Sequence, residues 1–245
     1  EMWGAETPME VKNIIESQKF KGTPKNLEEQ ALSMVGTDIY EALIKGYTEK
    51  QWGKKATELP TFLIKRLPIR FIYDNNYFND RYQGVPIGGF TQMFEKMLDG
   101  IKVKLNQNYF EQKDYYDSIA DKVVYTGCID EFFDYKYGEL GYRSLRFETG
   151  VIEMENYQGC AVINQCDHSE EYTRTVEHKH FERVKTDHTV ITREYPVEYK
   201  KGMTPYYPIN SKQNTEMYEK YKKESKTLTN FIFGGRLAEY KYMDM

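Results

Sequence analysis

Arginine and tyrosine side chains occur together between residues 66 and 82. The members of this group are Arg66, Arg70 and Arg81 with Tyr73, Tyr77 and Tyr82. A guanidinium is planar and permanently charged, and a phenol hydroxyl donates a hydrogen bond, so both groups suit phosphate oxygens. The plainer interpretation is a solvated strand edge, which the residues alone favour.

A second candidate for phosphate binding is the sequence Gly234-Gly235-Arg236, which follows a predicted strand at residues 230–233. Glycines let a backbone approach a phosphate closely, and the arginine can neutralise its charge. Because paired glycines are common in turns, this signal alone is weak.

Two histidines, His178 and His180, lie two residues apart on a predicted strand. This spacing predicts that both point to one face, together with Arg174 and Tyr172. A metal ion needs a third ligand and would be repelled by the neighbouring arginine. We therefore expect a structural hydrogen-bonding role for the histidines and no metal site.

The common motifs for covalent catalysis and for nucleotide binding are absent from the sequence. There is no G-x-S-x-G elbow, P-loop, H-E-x-x-H run or G-x-G-x-x-G fingerprint, and Cys128 has no histidine partner nearby in sequence. The residues alone predict a protein that binds an anionic, nucleotide-like ligand through Tyr and Arg, with Trp3 or Trp52 as a stacking surface.

Composition narrows the class of protein further. The chain has 245 residues, 40% of them apolar, and a formal net charge of 34 − 38 = −4, whereas a general nucleic-acid binder is usually basic. No stretch reaches the ~20 apolar residues that cross a bilayer, and the first residues lack the features of a signal peptide. Three cysteines suit a reducing compartment, so we expect a soluble, cytoplasmic protein without nucleic-acid or membrane partners.

Helices are predicted first along the chain. Thr7, Pro8 and Glu10 are typical of a capped helix start. A second helix is predicted from Asn26 to Gly36, and a third from Thr37 to Gly46. These short helices favour a bundle segment.

Strands dominate the predictions after residue 68. Alternating residues predict strands at 69–73, 101–105 and 121–127, with a helix at 90–98 between the first two. Antiparallel strands are predicted at 159–165, 172–181 and 188–195, followed by a helix at 215–223 and the strand at 230–233. The fold class is therefore mixed α/β and α+β, with too few strands in the α/β part for a stable sheet.

The order of longer motifs resembles bacterial UDP-galactopyranose mutase over essentially the entire chain. The motifs are GYTEKQWG (46–53), RLPIRF (66–71), NNYF (75–78), YQG (82–84), YTG (125–127) with Ile129 and Asp130, YTR (172–174), EHK (177–179), PYYP (205–208), GRL (235–237) and residues 240–244.

The resemblance implies a three-part fold: a partial Rossmann-type FAD domain, a helical bundle segment and a twisted antiparallel sheet. We expect the bundle segment at residues 1–58, the substrate-binding sheet at 59–87 and 134–212, and parts of the FAD domain at 88–133 and 213–245. Family members carry an FAD fingerprint before the region matched here and a helix after it. We therefore expect this chain to lack both ends of the family fold.

The implied activity is the isomerisation of UDP-galactopyranose to UDP-galactofuranose with reduced FAD, through an adduct between the flavin N5 and the sugar, for cell-surface polysaccharide. The implied partner is UDP-galactose, and the intact protein is expected to be a homodimer. An alternative is a nucleotide-sugar-binding module without catalysis, since the chain lacks the FAD fingerprint. A third possibility is an inactive, misfolded truncation product.

The resemblance also assigns roles to individual residues. Arg66, on a mobile loop, and Arg236 match the two essential catalytic arginines. The implied phosphate-binding residues are Tyr77, Tyr207 and Tyr242, those at the uridine end are Tyr47 and Trp52, and those near the sugar and flavin are Asn164, Arg174 and Glu194. The implied flavin contacts are Gly127, Gly235, Arg236, Asp244 and Met245. Leu43 stands where some members have an aromatic residue beside the uracil.

Overall fold

The computed structural model describes residues 2–65, 67–72, 74, 76 and 78–243. Its α-helices are α1 (Pro8–Gln18), α2 (Leu27–Ile39), α3 (Gly46–Trp52), α4 (Phe90–Met97), α5 (Lys113–Ile119), α6 (Ile129–Phe132), α7 (Lys179–Glu182), α8 (Lys212–Ser225) and α9 (Gly235–Ala238). A π-helix spans Tyr40–Lys45, and 3₁₀ turns span Ala56–Glu58, Thr61–Leu63 and Tyr109–Gln112. Its strands are β1 (Val123–Tyr125), β2 (Tyr142–Ile152), β3 (Val162–Asn164), β4 (Arg174–Glu177), β5 (Thr189–Glu198), β6 (Tyr207–Pro208) and β7 (Phe231–Phe233).

Each of two compact units is assembled from two separate stretches of chain. The first unit comprises Glu1–Phe90 and Arg146–Pro196, and the second comprises Thr91–Leu145 and Val197–Met245. The mixture of helices with a parallel and an antiparallel sheet confirms the predicted fold class. The three-part division into domains stays a prediction. Within the described chain, no helix combines the length and apolar character needed to cross a membrane.

The predicted helix starts are confirmed. At α1 the Thr7 hydroxyl accepts a hydrogen bond from the Glu10 N–H (3.3 Å), and the Glu10 carboxylate accepts one from the Thr7 N–H (3.4 Å). At α2 the Asn26 side chain accepts from the Glu29 N–H (2.9 Å). These side chains satisfy N–H groups that have no partner in the first turn of a helix.

The third predicted helix has different bounds in the structure. The chain breaks its helical path at Gly36, where φ is +76°, as the sequence predicts. The prediction that the next helix ends at Gly46 is wrong, because the π-helix continues into α3. Gly46 is needed for space, since a Cβ there would collide with the carbonyl oxygen of Cys166.

The two sheets differ in strand direction. Strands β1 and β7 pair in parallel, with Val123 opposite Phe231 and Tyr125 opposite Phe233, as expected of the α/β part of the predicted fold class. The other five strands form an antiparallel sheet in the order β3-β4-β5-β2-β6. The predictions omitted β2 and β6. Strand β2 is rich in polar residues and largely exposed after its first residues, so it lacks a long apolar alternation.

The predictions of strands at residues 69–73 and 101–105 are wrong. The described residues of 69–73 form no strand, and Tyr73 lies outside the described residues. Residues 101–105 are also irregular, and their apolar members Ile101, Val103 and Leu105 are exposed. An alternating pattern becomes a strand only when a neighbouring strand pairs with it, and neither segment pairs with another described strand.

The prediction that both histidines lie on one strand is also wrong. Strand β4 ends at Glu177, His178 has helical backbone angles, and His180 lies in α7. At the end of β4 the buried Glu177 carboxylate accepts the N–H groups of Tyr157 (3.0 Å) and Gln158 (2.8 Å), which belong to the loop before β3. The histidines therefore do not share a strand face with Arg174.

Glu177 is expected to contribute to stability in a pH-dependent way. Burial raises the pKa of this carboxyl, but the N–H groups of Tyr157 and Gln158 and the side chains of Thr189 and His180 together outweigh burial and lower it to about 2. Its contribution is therefore fully present above the unfolded-state pKa of about 4.5 and is lost as the pH falls toward 2. We expect Glu177→Gln to lower the free energy of unfolding at pH 7 by about 2 kcal/mol.

Urea unfolding at several pH values measures this effect. The difference between the wild-type protein and Glu177→Gln should shrink as the pH falls below 4.5. Glu182→Gln, at an exposed position in α7, is the matched control and should change stability little. A Glu177→Gln variant as stable as the wild type at pH 7 would contradict the assigned role.

Many tyrosines belong to the core. Tyr40, Tyr221 and Tyr240 are almost fully buried, yet their hydroxyls donate hydrogen bonds. Tyr40 donates to Glu28 (2.8 Å), and Tyr221 donates to the carbonyl of Gly138 (2.7 Å). Burial raises the pKa of each phenol, so these side chains remain protonated donors.

Candidate functional site

Part of the predicted site lies in the first unit, where the strand register brings three polar residues together. Asn164 of β3 pairs with Arg174 of β4, and Arg174 pairs with Glu194 of β5. Directly paired residues of antiparallel strands point to the same face of a sheet. The three side chains therefore form a row across one face.

Arg174 is the centre of this row. Its Nε donates to the Asn164 side-chain oxygen (3.1 Å), and Nη1 lies 3.5 Å from the Glu194 carboxylate. Its Nη2 lies 3.5 Å from the Tyr47 hydroxyl of α3. The Arg174 side chain keeps 35% of its surface exposed, so a guanidinium oriented by three elements also remains accessible to a ligand. We call Tyr47, Asn164, Arg174 and Glu194 the Arg174 cluster.

The aromatic residues predicted near the uridine end are arranged differently from one another. Tyr47 contacts Arg174, whereas Trp52, at the end of α3, packs against the core of the helical segment and is partly buried. Leu43 is exposed on the π-helix. Trp3, the other candidate for base stacking, donates its indole N–H to Asp38 (2.7 Å), which is a structural contact.

A second arginine–tyrosine group lies in the second unit. The Arg236 guanidinium carbon lies 5.7 Å from the ring centre of Tyr207 and 5.0 Å from that of Tyr242. The two rings are stacked, with centres 5.9 Å apart and planes 18° apart. Arg236 also donates to the carbonyls of Tyr206 and Met243. We call Tyr207, Arg236 and Tyr242 the Arg236 cluster.

Sequence reasoning missed Arg143 near the Arg236 cluster. Arg143 of β2 pairs with Tyr207 of β6, so the two side chains point to the same side of the sheet. Burial lowers the pKa of Arg143, and the nearby Glu198 carboxylate opposes this effect. Strand β2 was not among the predicted strands. The signal that could have indicated it is the alternation of Tyr142, Arg143 and Ser144 at its start.

Two glycine turns follow the parallel strands of the second unit. Thr126-Gly127 follows β1 and Gly234-Gly235 follows β7, so both turns lie at the carboxyl ends of parallel strands, where open α/β sheets bind cofactors. A Cβ at Gly127 would come within 2.6 Å of the Tyr125 hydroxyl, and Gly235 has a φ of +82°. Nothing lies within 4 Å of a Cβ built at Gly234. This open, glycine-lined edge fits the close approach of a flavin.

Several predicted site residues cannot be placed. Arg66, Tyr77, Asp244 and Met245 lie outside the described residues, and their roles stay predictions. The loop that leads to Arg66 is anchored, because Ile64 is buried in the core of the helical segment. Among the described residues, no group of three or more His, Cys, Asp or Glu side chains could hold a metal ion.

Comparisons with known proteins agree with this arrangement. The sequence model of the family "UDP-galactopyranose mutase" matches residues 42–242. A Klebsiella pneumoniae protein named "Probable UDP-galactopyranose mutase" is 42% identical over 91% of this chain and 58% of its own length. An Escherichia coli protein named "dTDP-fucopyranose mutase" is 38% identical over 98% of this chain and 66% of its own length.

A solved structure supports the fold. The structure titled "Crystal structure of reduced UDP-Galactopyranose mutase" matches with a TM-score of 0.64, covering 96% of this chain and 67% of that chain at 14% identity. The chain thus spans between about three fifths and two thirds of the length of the two relatives above. Given the family match over residues 42–242 and the 42% identity to a curated relative, the chain belongs to the UDP-galactopyranose mutase family.

Proposed function

We propose that this chain is the substrate-binding part of a flavin-dependent isomerase that interconverts UDP-galactopyranose and UDP-galactofuranose. The observation that carries the proposal is the Arg174 cluster, in which a partly exposed guanidinium is oriented by Asn164, Tyr47 and Glu194. Family membership supplies the substrate class. In line with the resemblance, the proposal includes a cytoplasmic homodimer.

The diphosphate is the part of the substrate that these residues suit best. Its phosphates carry two negative charges, and Arg174 and Arg236 each place a cation beside tyrosine hydroxyls or rings. Hydrogen bonds to charged groups contribute about 1.5–3 kcal/mol each. We propose that Arg174 in the first unit, and Arg236 with Tyr207 and Tyr242 in the second, each supply donors for phosphate oxygens of the substrate, and that Arg66 and Tyr77 have the same role.

Breaking the bond between the sugar C1 and the phosphate oxygen leaves the bonding electron pair on UDP. The arginines would stabilise the negative charge that develops on this leaving group, and the phenols would hold its oxygens in one orientation. Bound reduced FAD, contacted by Gly127, Gly235 and Arg236 and by Asp244 and Met245, would supply the nucleophile for the anomeric carbon. This chain's own residues thus bind, orient and neutralise charge.

A second candidate substrate, with a different nucleotide and sugar, also has support. The Escherichia coli relative named for dTDP-fucopyranose matches 98% of this chain, so a dTDP-sugar substrate has support from the comparisons. The two substrates differ in the base, in the ribose 2′-hydroxyl and in the substituent at the sugar's sixth carbon. Direct competition between UDP and dTDP separates the two proposals.

Binding of UDP by the purified chain tests the proposed function. UDP at 100 times its Kd should stabilise the folded protein by about 2.7 kcal/mol, which thermal melting detects as a higher Tm. A larger shift with dTDP would favour the second candidate, and no shift with either nucleotide would contradict both.

Flavin absorbance in the same sample tests the cofactor. A yellow preparation supports the flavoenzyme. A colourless protein that still binds UDP would instead favour the alternative of a nucleotide-sugar-binding module without catalysis.

A further inference from the structure

The lysine of α3 makes an unusual set of contacts. The Lys50 ammonium donates to three backbone carbonyls, those of Asp167 (2.6 Å), Glu170 (3.0 Å) and Tyr172 (3.1 Å). An ammonium has three N–H donors, so these contacts can use all of them. All three carbonyls belong to the segment of residues 165–173 that joins β3 to β4, which we call the β3–β4 loop.

The β3–β4 loop joins two members of the Arg174 cluster. It begins directly after Asn164, the last residue of β3, and ends directly before Arg174, the first residue of β4. Tyr47, a third member, lies three residues before Lys50 on α3, and residues three apart lie on the same side of a helix. Lys50 therefore connects the helix that carries Tyr47 to the loop that sets the positions of Asn164 and Arg174.

Two further contacts join α3 to the same loop. Gly46 lies so close to the carbonyl oxygen of Cys166 that no side chain fits between them. Glu49 lies 3.7 Å from the His168 ring nitrogen. Burial lowers the pKa of Lys50, and the negative charges of the nearby Asp167 and Glu170 carboxylates oppose this effect. Removing the ammonium would leave three carbonyls without this donor, at a site already tightly packed.

We propose that Lys50 is a positioning residue that fixes the β3–β4 loop on α3 and thereby holds Arg174 in contact with Tyr47. The role in substrate binding rests on the proposed function, because Arg174 and Tyr47 are assigned there to the substrate. The loop contact itself does not depend on that function. Lys50 acts through Arg174 and is assigned no contact with the substrate.

Alkylation of Cys166 by iodoacetamide, followed by peptide mass spectrometry, reports on the loop. Cys166 is partly buried within the loop, whereas Cys160 is exposed outside it and serves as an internal reference. We expect Lys50→Gln to raise the labelling rate of Cys166 about 10-fold or more relative to Cys160, since local opening controls exposure of such groups. Lys54→Gln, at an exposed position just after α3, is the matched control and should leave the ratio unchanged.

UDP affinity then tests the connection to Arg174. Lys50→Gln is expected to weaken UDP binding about 10-fold, and to weaken it much less in an Arg174→Ala background, because coupled residues are not additive. Lys50→Arg keeps the charge, but its planar fork cannot aim three donors at converging carbonyls, so its effects should be intermediate. This variant also replaces Lys50→Gln if a thermal melt shows that Lys50→Gln does not fold.

The outcomes separate the two proposals. An unchanged Cys166 labelling ratio overturns the inference, and so do normal UDP affinity in Lys50→Gln and fully additive effects with Arg174→Ala. If the wild-type protein binds no UDP, the proposed function fails, and the labelling ratio alone decides whether Lys50 fixes the loop.

Discussion

Replacing Arg236 with alanine is expected to lower turnover of the flavin-loaded protein about 100-fold or more. The guanidinium lies beside the stacked rings of Tyr207 and Tyr242 and donates to two backbone carbonyls. It is therefore already oriented before a ligand arrives, so little entropy would be lost on binding a phosphate as proposed. Replacing it would remove the charge-assisted hydrogen bonds proposed to the phosphate oxygens, and two of them at about 1.5–3 kcal/mol each account for a loss of this size.

The measurement is steady-state conversion of UDP-galactofuranose, with a thermal melt of the same variant. Arg236→Lys keeps the charge without the planar fork and should retain part of the activity. Because Arg236 also donates to the carbonyls of Tyr206 and Met243, a drop in Tm would show that the fold contributes to the loss. Near-normal turnover in Arg236→Ala would remove Arg236 from the proposed site.

Arg174→Ala is expected to weaken UDP binding by the purified chain about 100-fold. Side chains of α3, β3 and β5 contact it, so the guanidinium is held in place without being fully buried. Removing it also leaves the Glu194 carboxylate without the cation 3.5 Å away. That uncompensated negative charge would repel the diphosphate and adds to the direct loss.

Titration calorimetry with UDP measures this effect, and an exposed lysine offers a control. Lys185 lies at an exposed position between α7 and β5, outside the Arg174 cluster. Lys185→Ala removes one positive charge and should leave UDP affinity within about 3-fold, the scatter of a surface substitution. Equal losses from both variants would show that the net charge, not the Arg174 cluster, determines binding.

Local signals in the sequence predicted the starts of helices well. The caps at Thr7 and Asn26 and the break at Gly36 depend on residues within a few positions of each other. Sequence reasoning failed where a residue type is required by a contact with a residue far away in the sequence. Gly46 suggested a helix end, but its small size is required by Cys166, which is 120 residues away.

The members of the candidate site were easier to predict than their contacts. The resemblance named Tyr47, Arg174 and Arg236, but the sequence alone does not show that Tyr47 contacts Arg174, since 127 residues separate them. Lys50 gave no signal, because a lysine on a short helix usually points to solvent. Its partners are backbone carbonyls, which every residue has, so no residue type in the sequence marks them.

The interleaved assembly of the two units has a consequence for synthesis on the ribosome. The first unit needs residues up to Pro196 and the second needs residues beyond it, so neither can complete its contacts before Arg146 has emerged. During that interval Tyr47 of α3 lacks its contact with Arg174, because strand β4 has not yet been synthesised. Such long-range closure slows folding and exposes apolar surface to aggregation, so a chaperone that shields the emerging helical segment should increase the yield.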